Sequence, residues 1–361
     1  MNIKKLTHSI LTLCLALALV FSLAACSGQS GAENAPADTH AEAEAPVESA
    51  TETENAEESD GEGERTVFNI AALKGPTAMG LVKLMNDSQS DVDTANDYNF
   101  TLAGSADEVT PALIKGEFDM ACVPANLAAV LYGKTEGAVE ILAVNTLGVL
   151  YIVENGDAVQ SVADLKGQTI VAAGKGSTPE YALRYILSAN GIDPDADVTL
   201  DWKNEHSECV AALASGQATI ALLPQPFVTV AQGKIDTLRM ALDLTQEWDA
   251  LDNGSMLITG VIVARRDVVE NNPAAVDAFL AEYAESVDYV NSNISDAAAL
   301  IGDYGIVDAA VAEKAVPYCN IVCLTGGEMK SALSGYLQVL FDANPASVGG
   351  NMPGEDIYYG A

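Results

Sequence analysis

The chain is poor in basic residues and in histidine. Its 17 lysines and arginines are outnumbered by 51 aspartates and glutamates, which gives a formal net charge of −34. Nucleic-acid partners are disfavoured, because phosphate contacts need a basic face. Of the three histidines, only His206 follows the N-terminal region. No nucleophile motif accompanies it, so the sequence offers no acid–base or nucleophilic constellation.

Cysteine is also scarce, with six in the chain. Cys14 and Cys26 lie near the N-terminus. The other four lie in apolar settings, where a small buried hydrophobe is the usual role: Cys122, Cys209, Cys319 and Cys323. Their spacing matches no zinc motif, so we predict neither a metal nor a cofactor. A disulfide among these four stays open.

Long apolar runs are missing after the first 25 residues, and none reaches the roughly 18 residues that a transmembrane helix needs. Residues 1–25 begin with Lys4 and Lys5, continue with an apolar stretch and end in Leu-Ala-Ala before Cys26, which is typical of a secretory signal. Residues 26–64 are rich in Ala, Glu, Ser and Thr. Such a segment buries too little apolar surface to fold, so we predict a disordered acidic tether.

The rest of the chain contains one pattern twice. Ala71-Ala-Leu-Lys-Gly-Pro-Thr77 and Ala172-Ala-Gly-Lys-Gly-Ser-Thr178 each follow a short apolar run and precede apolar residues at helical spacing. Each copy therefore predicts strand, tight loop and helix. Segments 112–124 and 212–224 also share Ala-Leu, Gly, Ala and Pro at matching offsets. Two halves of this kind predict two similar lobes that face each other across a cleft.

The predicted fold class is α/β, with two Rossmann-like lobes built on mostly parallel sheets. Two long apolar runs, 140–153 and 256–264, are interpreted as crossover segments between the lobes. The predicted domains follow from these crossovers. They are lobe I, residues 65–146 plus 262–361, and lobe II, residues 147–261.

Both repeated loops should lie at helix N-termini, where free backbone N–H groups and the helix dipole favour an anion. In the second copy, Thr178 is expected to cap the helix, with Pro179 at its first position. We expect the backbone around the two lysines to contact a carboxylate, sulfonate, phosphate or polar heterocycle. The predicted contact residues are Lys74, Gly75, Pro76, Thr77, Lys175, Gly176, Ser177 and Thr178.

Further candidates lie at strand ends and on the first crossover. Asn126 and Gln225 follow prolines at the end of a buried strand in each half, an edge that faces ligands in open α/β sheets. They could supply amide hydrogen bonds, and Phe227 could supply an apolar or stacking wall. Thr146 and Gly148 could line a hinge. Each of these residues could equally well be structural.

These motifs together resemble those of bacterial ABC-importer solute-binding lipoproteins, in particular the group that binds sulfonates, taurine, nitrate and thiamine precursors. The resemblance extends from Thr66 to Pro353, and Leu-Ala-Ala-Cys26 resembles a lipobox. It implies a type II periplasmic-binding fold, hinge closure on a ligand and docking on a membrane permease. It also implies lipid attachment to the Cys26 sulfur, and hence an extracytoplasmic protein anchored to the cell membrane.

The resulting hypothesis is a monomeric solute receptor that is not an enzyme and closes on a small anionic or heteroaromatic molecule. The alternative is an enzyme on the same scaffold, such as a dehydratase or a precursor synthase. The Cys-rich motif and catalytic histidine of the fungal thiamine-precursor synthases have no match in this chain.

Overall fold

The structure is a computed structural model that describes residues 65–90 and 92–361. The predicted signal peptide (1–25), the tether (26–64) and the lipidation site Cys26 lie outside the described residues. The strands are, in chain order, β1 (Val67–Leu73), β2 (Asp97–Ala103), β3 (Met120–Pro124), β4 (Val139–Leu147), β5 (Leu150–Glu154), β6 (Thr169–Ala173), β7 (Thr199–Lys203), β8 (Ile220–Pro224), β9 (Arg239–Asp243), β10 (Ile258–Arg265) and β11 (Ile321–Leu324).

Helices connect these strands. They are α1 (Pro76–Met79), α2 (Val82–Asp87), α3 (Ala106–Lys115), α4 (Ala125–Lys134), α5 (Thr178–Ala189), α6 (His206–Ala214), α7 (Phe227–Gln232), α8 (Leu244–Asp249), α9 (Arg266–Asn271), α10 (Pro273–Ser292), α11 (Ile294–Asp303), α12 (Ala309–Ala315) and α13 (Gly326–Ala343). None of the helices in the described ranges is both long and apolar enough to span a membrane.

The strands form two sheets that share one topology over five strands, and the first sheet has β11 as a sixth strand. The first sheet has the order β11-β4-β10-β3-β1-β2, and the second has the order β7-β6-β8-β5-β9. In the first, β1 pairs in parallel with β2 and β3, and in the second β6 pairs in parallel with β7 and β8. In each sheet a strand from a crossover segment, β10 or β5, lies beside β3 or β8 in antiparallel orientation. The two-lobed α/β architecture is therefore confirmed.

The helical spacing of apolar residues after the first repeated loop predicts one helix over residues 78–85, whereas the structure has two helices in this region. The break between α1 and α2 falls at Gly80, where an added β-carbon would lie 2.8 Å from the Tyr283 hydroxyl oxygen. Ser286 donates a hydrogen bond to the Gly80 carbonyl oxygen, with an O···O distance of 2.7 Å. Helix α10 therefore interrupts the first helix by a tertiary contact that the local sequence does not encode.

The apolar core connects the lobes. One cluster of buried residues includes Leu113 and Tyr336 from the first lobe and Ile152, Ile186 and Trp248 from the second. The Trp248 and Tyr336 ring centroids lie 5.5 Å apart. The two lobes are thus in direct contact on the side of α5, α8 and α13.

Candidate functional site

The first-lobe loop, Lys74–Thr77, lies against the crossover strands. Gly75 has φ +142°, a conformation that L side chains rarely adopt. The Thr77 hydroxyl donates to the Leu73 carbonyl oxygen at 2.9 Å. A β-carbon on Gly260, in β10, would lie 2.5 Å from Thr77 Cγ2. Glycine at that position lets the loop pack on β10.

The second-lobe loop differs from its prediction in one respect. Ser177, and not Thr178, is the N-cap of α5, and Pro179 is the second helical residue. The Ser177 hydroxyl turns back and donates to the Gly174 carbonyl oxygen at 2.8 Å. The predicted cap was therefore wrong by one residue, since the loop closes on itself through Ser177.

Some of the loop amides expected to bind an anion already have partners. The Gly176 N–H donates to the Glu180 carboxylate at 2.7 Å, and Arg184 pairs with the same carboxylate at 2.9 Å. In the first lobe the Lys74 N–H donates to the Ala103 carbonyl oxygen at 2.9 Å. These two amides are therefore already used within the protein. The Lys74 and Lys175 side chains are exposed.

Asn126 joins the two halves of the predicted site. It follows β3, whose Pro124 lies opposite Gly260 in the β-ladder. Its side-chain nitrogen lies 3.3 Å from the Gly176 carbonyl oxygen, and its side-chain oxygen accepts from the Thr178 hydroxyl at 3.4 Å. Thr77 thus contacts Gly260, which pairs with Pro124 two residues before Asn126, and Asn126 contacts the second-lobe loop. Both repeated loops lie at one interlobe junction.

The first crossover is tightly packed at this junction. Asn145 and Thr146 are fully buried, and the Thr146 hydroxyl donates to the Asn145 side-chain oxygen at 3.1 Å. A β-carbon on Gly148 would lie only 2.2 Å from Thr245 Oγ1. Asn320 donates to the Gly148 carbonyl oxygen at 2.6 Å. The crossover is therefore held from both lobes.

Gln225 and Phe227 lie at the carboxyl edge of the second sheet. The Gln225 side-chain oxygen accepts a hydrogen bond from the Thr229 hydroxyl at 2.9 Å, so this oxygen binds the first turn of α7. The Phe227 ring lies 5.2 Å from the His206 ring, centroid to centroid. The His206 ring is partly accessible, but its Nδ1 is buried, and burial lowers the pKa of His206 to about 4. This imidazole is neutral at pH 7.

Several junction residues carry no motif in the sequence. Among residues 65–90 and 92–361, five buried side-chain atoms have no hydrogen-bond partner. Three of them, His206 Nδ1, Thr245 Oγ1 and Thr259 Oγ1, lie at carboxyl edges or on a crossover, and a fourth, Ser347 Oγ, belongs to the C-terminal residue that contacts Asn126. Unpaired buried polar atoms cost free energy and often mark functional sites. Single Thr and Ser residues carry no periodicity or spacing that could have identified them.

The lobes also meet elsewhere. Helix α12 of the first lobe contacts α7 of the second. At the far edge, a β-carbon on Gly104 would lie 3.6 Å from Glu205 Oε1 across the cleft. The two lobes are thus in a closed arrangement.

Two surface cavities lie away from the junction. One, of about 540 Å³, lies between residues 249–256 and α13, with Leu324 in its wall. The other, of about 550 Å³, lies beside Arg65 and the start of β2. Neither is lined by a predicted contact residue.

The described ranges contain cysteine, histidine and acidic side chains, which are the usual ligands of metal ions. No group of three or more His, Cys, Asp or Glu side chains is placed there to hold a metal ion. Cys122, Cys209, Cys319 and Cys323 are free thiols. Burial raises the pKa values of Cys122 and Cys209 to about 12, so both stay protonated and unreactive at neutral pH.

The fold is that of a bilobal solute-binding protein. A family model described as ABC transporter, phosphonate, periplasmic substrate-binding protein matches residues 93–314. The chain therefore belongs to this family of ABC-transporter periplasmic substrate-binding proteins. The similarity to ABC-importer solute-binding proteins that the sequence motifs indicated is confirmed.

Curated relatives agree at a coarser level. A Brucella abortus protein named only as a binding protein is 26% identical over 180 residues. A Brucella suis protein matches equally well. The match covers 50% of this chain and 54% of each relative, so the chain spans about half the length of the curated relatives it matches.

Solved structures share the fold. An ABC transporter protein from Parabacteroides distasonis superimposes with a TM-score of 0.68 at 23% identity, over 81% of this chain and 98% of that one. The alkanesulfonate-binding protein SsuA from Xanthomonas axonopodis, bound to MOPS, gives 0.64 at 15% identity, over 82% and 97%. The aliphatic sulphonate-binding SsuA from Escherichia coli gives 0.63 at 19%, over 81% and 96%.

Proposed function

We propose that the protein is the extracytoplasmic receptor of an ABC importer, which closes its two lobes on a small anionic or heteroaromatic solute. The observation that carries this proposal is the interlobe junction, where polar side chains from both lobes are buried and several of their atoms have no protein partner. A solute between the lobes would supply those partners. The description of the family as phosphonate-binding, and the sulfonate ligands in the names of two structural neighbours, support an anionic group.

In this proposal the lobes are residues 65–146 with 262–361, and residues 147–261. Closure buries the solute against donors of both lobes, so affinity depends on the hinge equilibrium. The proposed solute contacts are the free backbone groups of Lys74–Thr77 and Lys175–Thr178, the hinge residues Thr146 and Gly148, and the second-lobe residues Gln225 and Phe227. The protein delivers the solute to a membrane permease and acts as a monomer without enzymatic activity.

The first test is a thermal-shift panel on the full chain in detergent. The panel holds methylphosphonate, methanesulfonate, nitrate and a pyrimidine as representatives of the solute classes. A solute at 100 times its dissociation constant should stabilise the protein by about 2.7 kcal/mol. Loss of the solute over time, followed by NMR, would instead favour an enzyme. No shift with any class would reject the receptor.

A variant of the hinge residue Thr146 tests whether the solute binds at the interlobe junction. Thr146→Val removes a buried hydroxyl at the junction and should weaken binding of the solute found by the panel about tenfold. Thr135→Val is the matched control, because the Thr135 hydroxyl donates to the Leu131 carbonyl oxygen at 2.8 Å, at the far end of α4. The control should bind as the wild type does. Equal affinity of both variants would place the solute elsewhere.

We also propose that lipid on the Cys26 sulfur anchors the protein to the outer face of the cell membrane. The Leu-Ala-Ala-Cys26 motif and the apolar stretch before it support this placement. Labelled palmitate should be incorporated into the wild type and not into Cys26→Ser. The variant should leave the membrane fraction, and its retention there would contradict the anchor.

A further inference from the structure

Asn126 has no side-chain donor left for a solute. Its Nδ2 atom donates to the Ser347 carbonyl oxygen at 2.9 Å and to the Gly176 carbonyl oxygen at 3.3 Å. An amide nitrogen carries two protons, so both are used. The Oδ1 atom accepts from the Thr178 hydroxyl, and the residue is fully buried. Its hydrogen-bond partners all belong to the protein.

These partners come from three separate parts of the fold. Asn126 follows β3 of the first sheet, and Gly176 and Thr178 lie where α5 of the second lobe begins. Ser347 belongs to the C-terminal segment that follows α13. From α13 itself, the Tyr336 hydroxyl donates to Thr178 Oγ1 at 3.4 Å. Two side chains of the first lobe therefore contact one hydroxyl of the second.

The two first-lobe residues Asn126 and Ser347 are held rigidly relative to each other. A β-carbon on Gly349 would lie 3.2 Å from Val130 Cα, so the C-terminal segment packs directly on the backbone of α4. The Asn344 side chain caps the short turn that holds Ser347 by accepting from the Ala346 N–H at 3.1 Å. Ser347 is thus fixed relative to Asn126. When the lobes separate, Asn126 therefore loses its hydrogen bonds to Gly176 and Thr178 and keeps the one to Ser347.

We propose that Asn126 is a positioning residue at the centre of an interlobe latch, formed with Gly176, Thr178, Tyr336 and Ser347. The latch stabilises the closed arrangement through hydrogen bonds between protein groups, and Asn126 does not contact the solute. This assignment replaces the expectation from sequence that Asn126 is a ligand contact. Since a neutral hydrogen bond contributes roughly threefold to tenfold to an equilibrium, the latch sets a substantial part of the closure constant.

Hydrogen exchange followed by mass spectrometry on the full chain, without solute, tests the latch. In Asn126→Asp a carboxylate that can only accept faces two carbonyl oxygens, so the lobes should separate more often. We expect exchange to rise about tenfold in peptides covering 174–181 and 345–350. Tyr336→Phe removes one hydrogen bond and should raise it about threefold in 174–181. Strand β8, inside the second lobe, should exchange as in the wild type.

Asn272→Asp is the matched control, because Asn272 donates to the Val268 carbonyl oxygen at 3.1 Å, away from the junction. It should leave both peptides unchanged. Wild-type exchange in both latch variants would overturn the proposal, and so would a rise that β8 shares equally. If Asn126→Asp does not fold, the result for Tyr336→Phe alone tests the proposal.

The proposal rests on lobe closure, which is part of the proposed function. Its test needs no solute, so a failed latch and a failed receptor are distinguishable.

Discussion

At the scale of single residues, the close approach of Thr245 leaves no room for a side chain at Gly148. A β-carbon there would lie 2.2 Å from Thr245 Oγ1 and 3.1 Å from Thr245 Cβ. We expect Gly148→Ala to lower the free energy of unfolding by about 1–3 kcal/mol, because Thr245 must shift. Urea unfolding measures this loss. Adding Thr245→Ala, which removes the closest atom, should restore part of it.

Gly233→Ala is the control for this substitution. The nearest atoms to a β-carbon there are two carbonyl oxygens at 3.5 Å, and Gly233 has an ordinary right-handed conformation. Its stability should stay within about 0.5 kcal/mol of the wild type. Equal losses in both variants would show that the contact with Thr245 is not the cause.

His206 should make stability depend on pH. Its pKa is about 4 in the folded protein and 6.5 when unperturbed, so the unfolded chain binds the proton more tightly. The stabilising contribution is complete above pH 6.5 and is lost as the pH falls towards 4, with about 2 kcal/mol gone at pH 5. In His206→Gln the midpoint of urea unfolding should fall less between pH 7 and pH 5. If the midpoints of the wild type and of His206→Gln fell equally with pH, the titration of His206 would not be the cause.

Residue types and loop positions in the site were predictable, whereas their contacts were not. The repeated Lys-Gly loops identified where the chain turns at both carboxyl edges. The local pattern could not show that Glu180 would bind the Gly176 amide, or that Asn126 would reach the other lobe. Such contacts depend on how two distant segments approach each other, and spacing along one chain does not encode that approach.

At the scale of elements, the ion pair between Arg239 and Glu154 ties β9 to β5. The Glu154 side chain is 3% exposed and Arg239 is 32% exposed. The same carboxylate accepts from the Ala158 and Val159 N–H groups at 2.9 and 3.1 Å. We expect Arg239→Met to cost about 3 kcal/mol in urea unfolding, because it leaves a buried carboxylate without its cation.

A surface pair supplies the comparison. Lys115 and Glu117 are separated by 3.9 Å, with side chains 68% and 63% exposed. Lys115→Met should change stability by less than about 1 kcal/mol, since exposed pairs contribute little. Similar losses in Arg239→Met and Lys115→Met would argue against a special role of the buried pair.

Elements with a clear local pattern were predicted well. The apolar run 169–173 predicts a strand and matches β6, and the helical spacing of apolar residues over 273–290 predicts a helix that lies within α10. Strand β9 and helix α8 were missed. β9 is an edge strand, in which only Leu242 is fully buried, and so it lacks a strong apolar signal. The first helix was predicted as continuous because its break at Gly80 comes from α10.

At the scale of the whole molecule, the C-terminal segment completes the first lobe. Ile357 is fully buried and Tyr358 is nearly so. Asp356 accepts from the Tyr132 hydroxyl at 2.6 Å and pairs with Arg266 at 2.9 Å. Removing residues 355–361 should lower the free energy of unfolding by at least about 3 kcal/mol, from the buried apolar area alone.

Urea unfolding of this truncation is compared with removal of the exposed Ala361 alone, which should have little effect. Equal unfolding midpoints for the two deletions would show that the segment is dispensable. The repeat in the sequence predicted two lobes, but not the C-terminal return to α4, since the segment after α13 has no counterpart in the other half.

The pairing of Leu147 with Ile258 means that the chain leaves the first sheet and re-enters it at adjoining positions. Topologically, everything in between is a cassette inserted at a single point of its host. A homologous cassette could therefore be exchanged by joining two neighbouring ends, without rerouting the rest of the chain. Recombination between relatives could in this way combine one lobe of the protein with a new partner lobe.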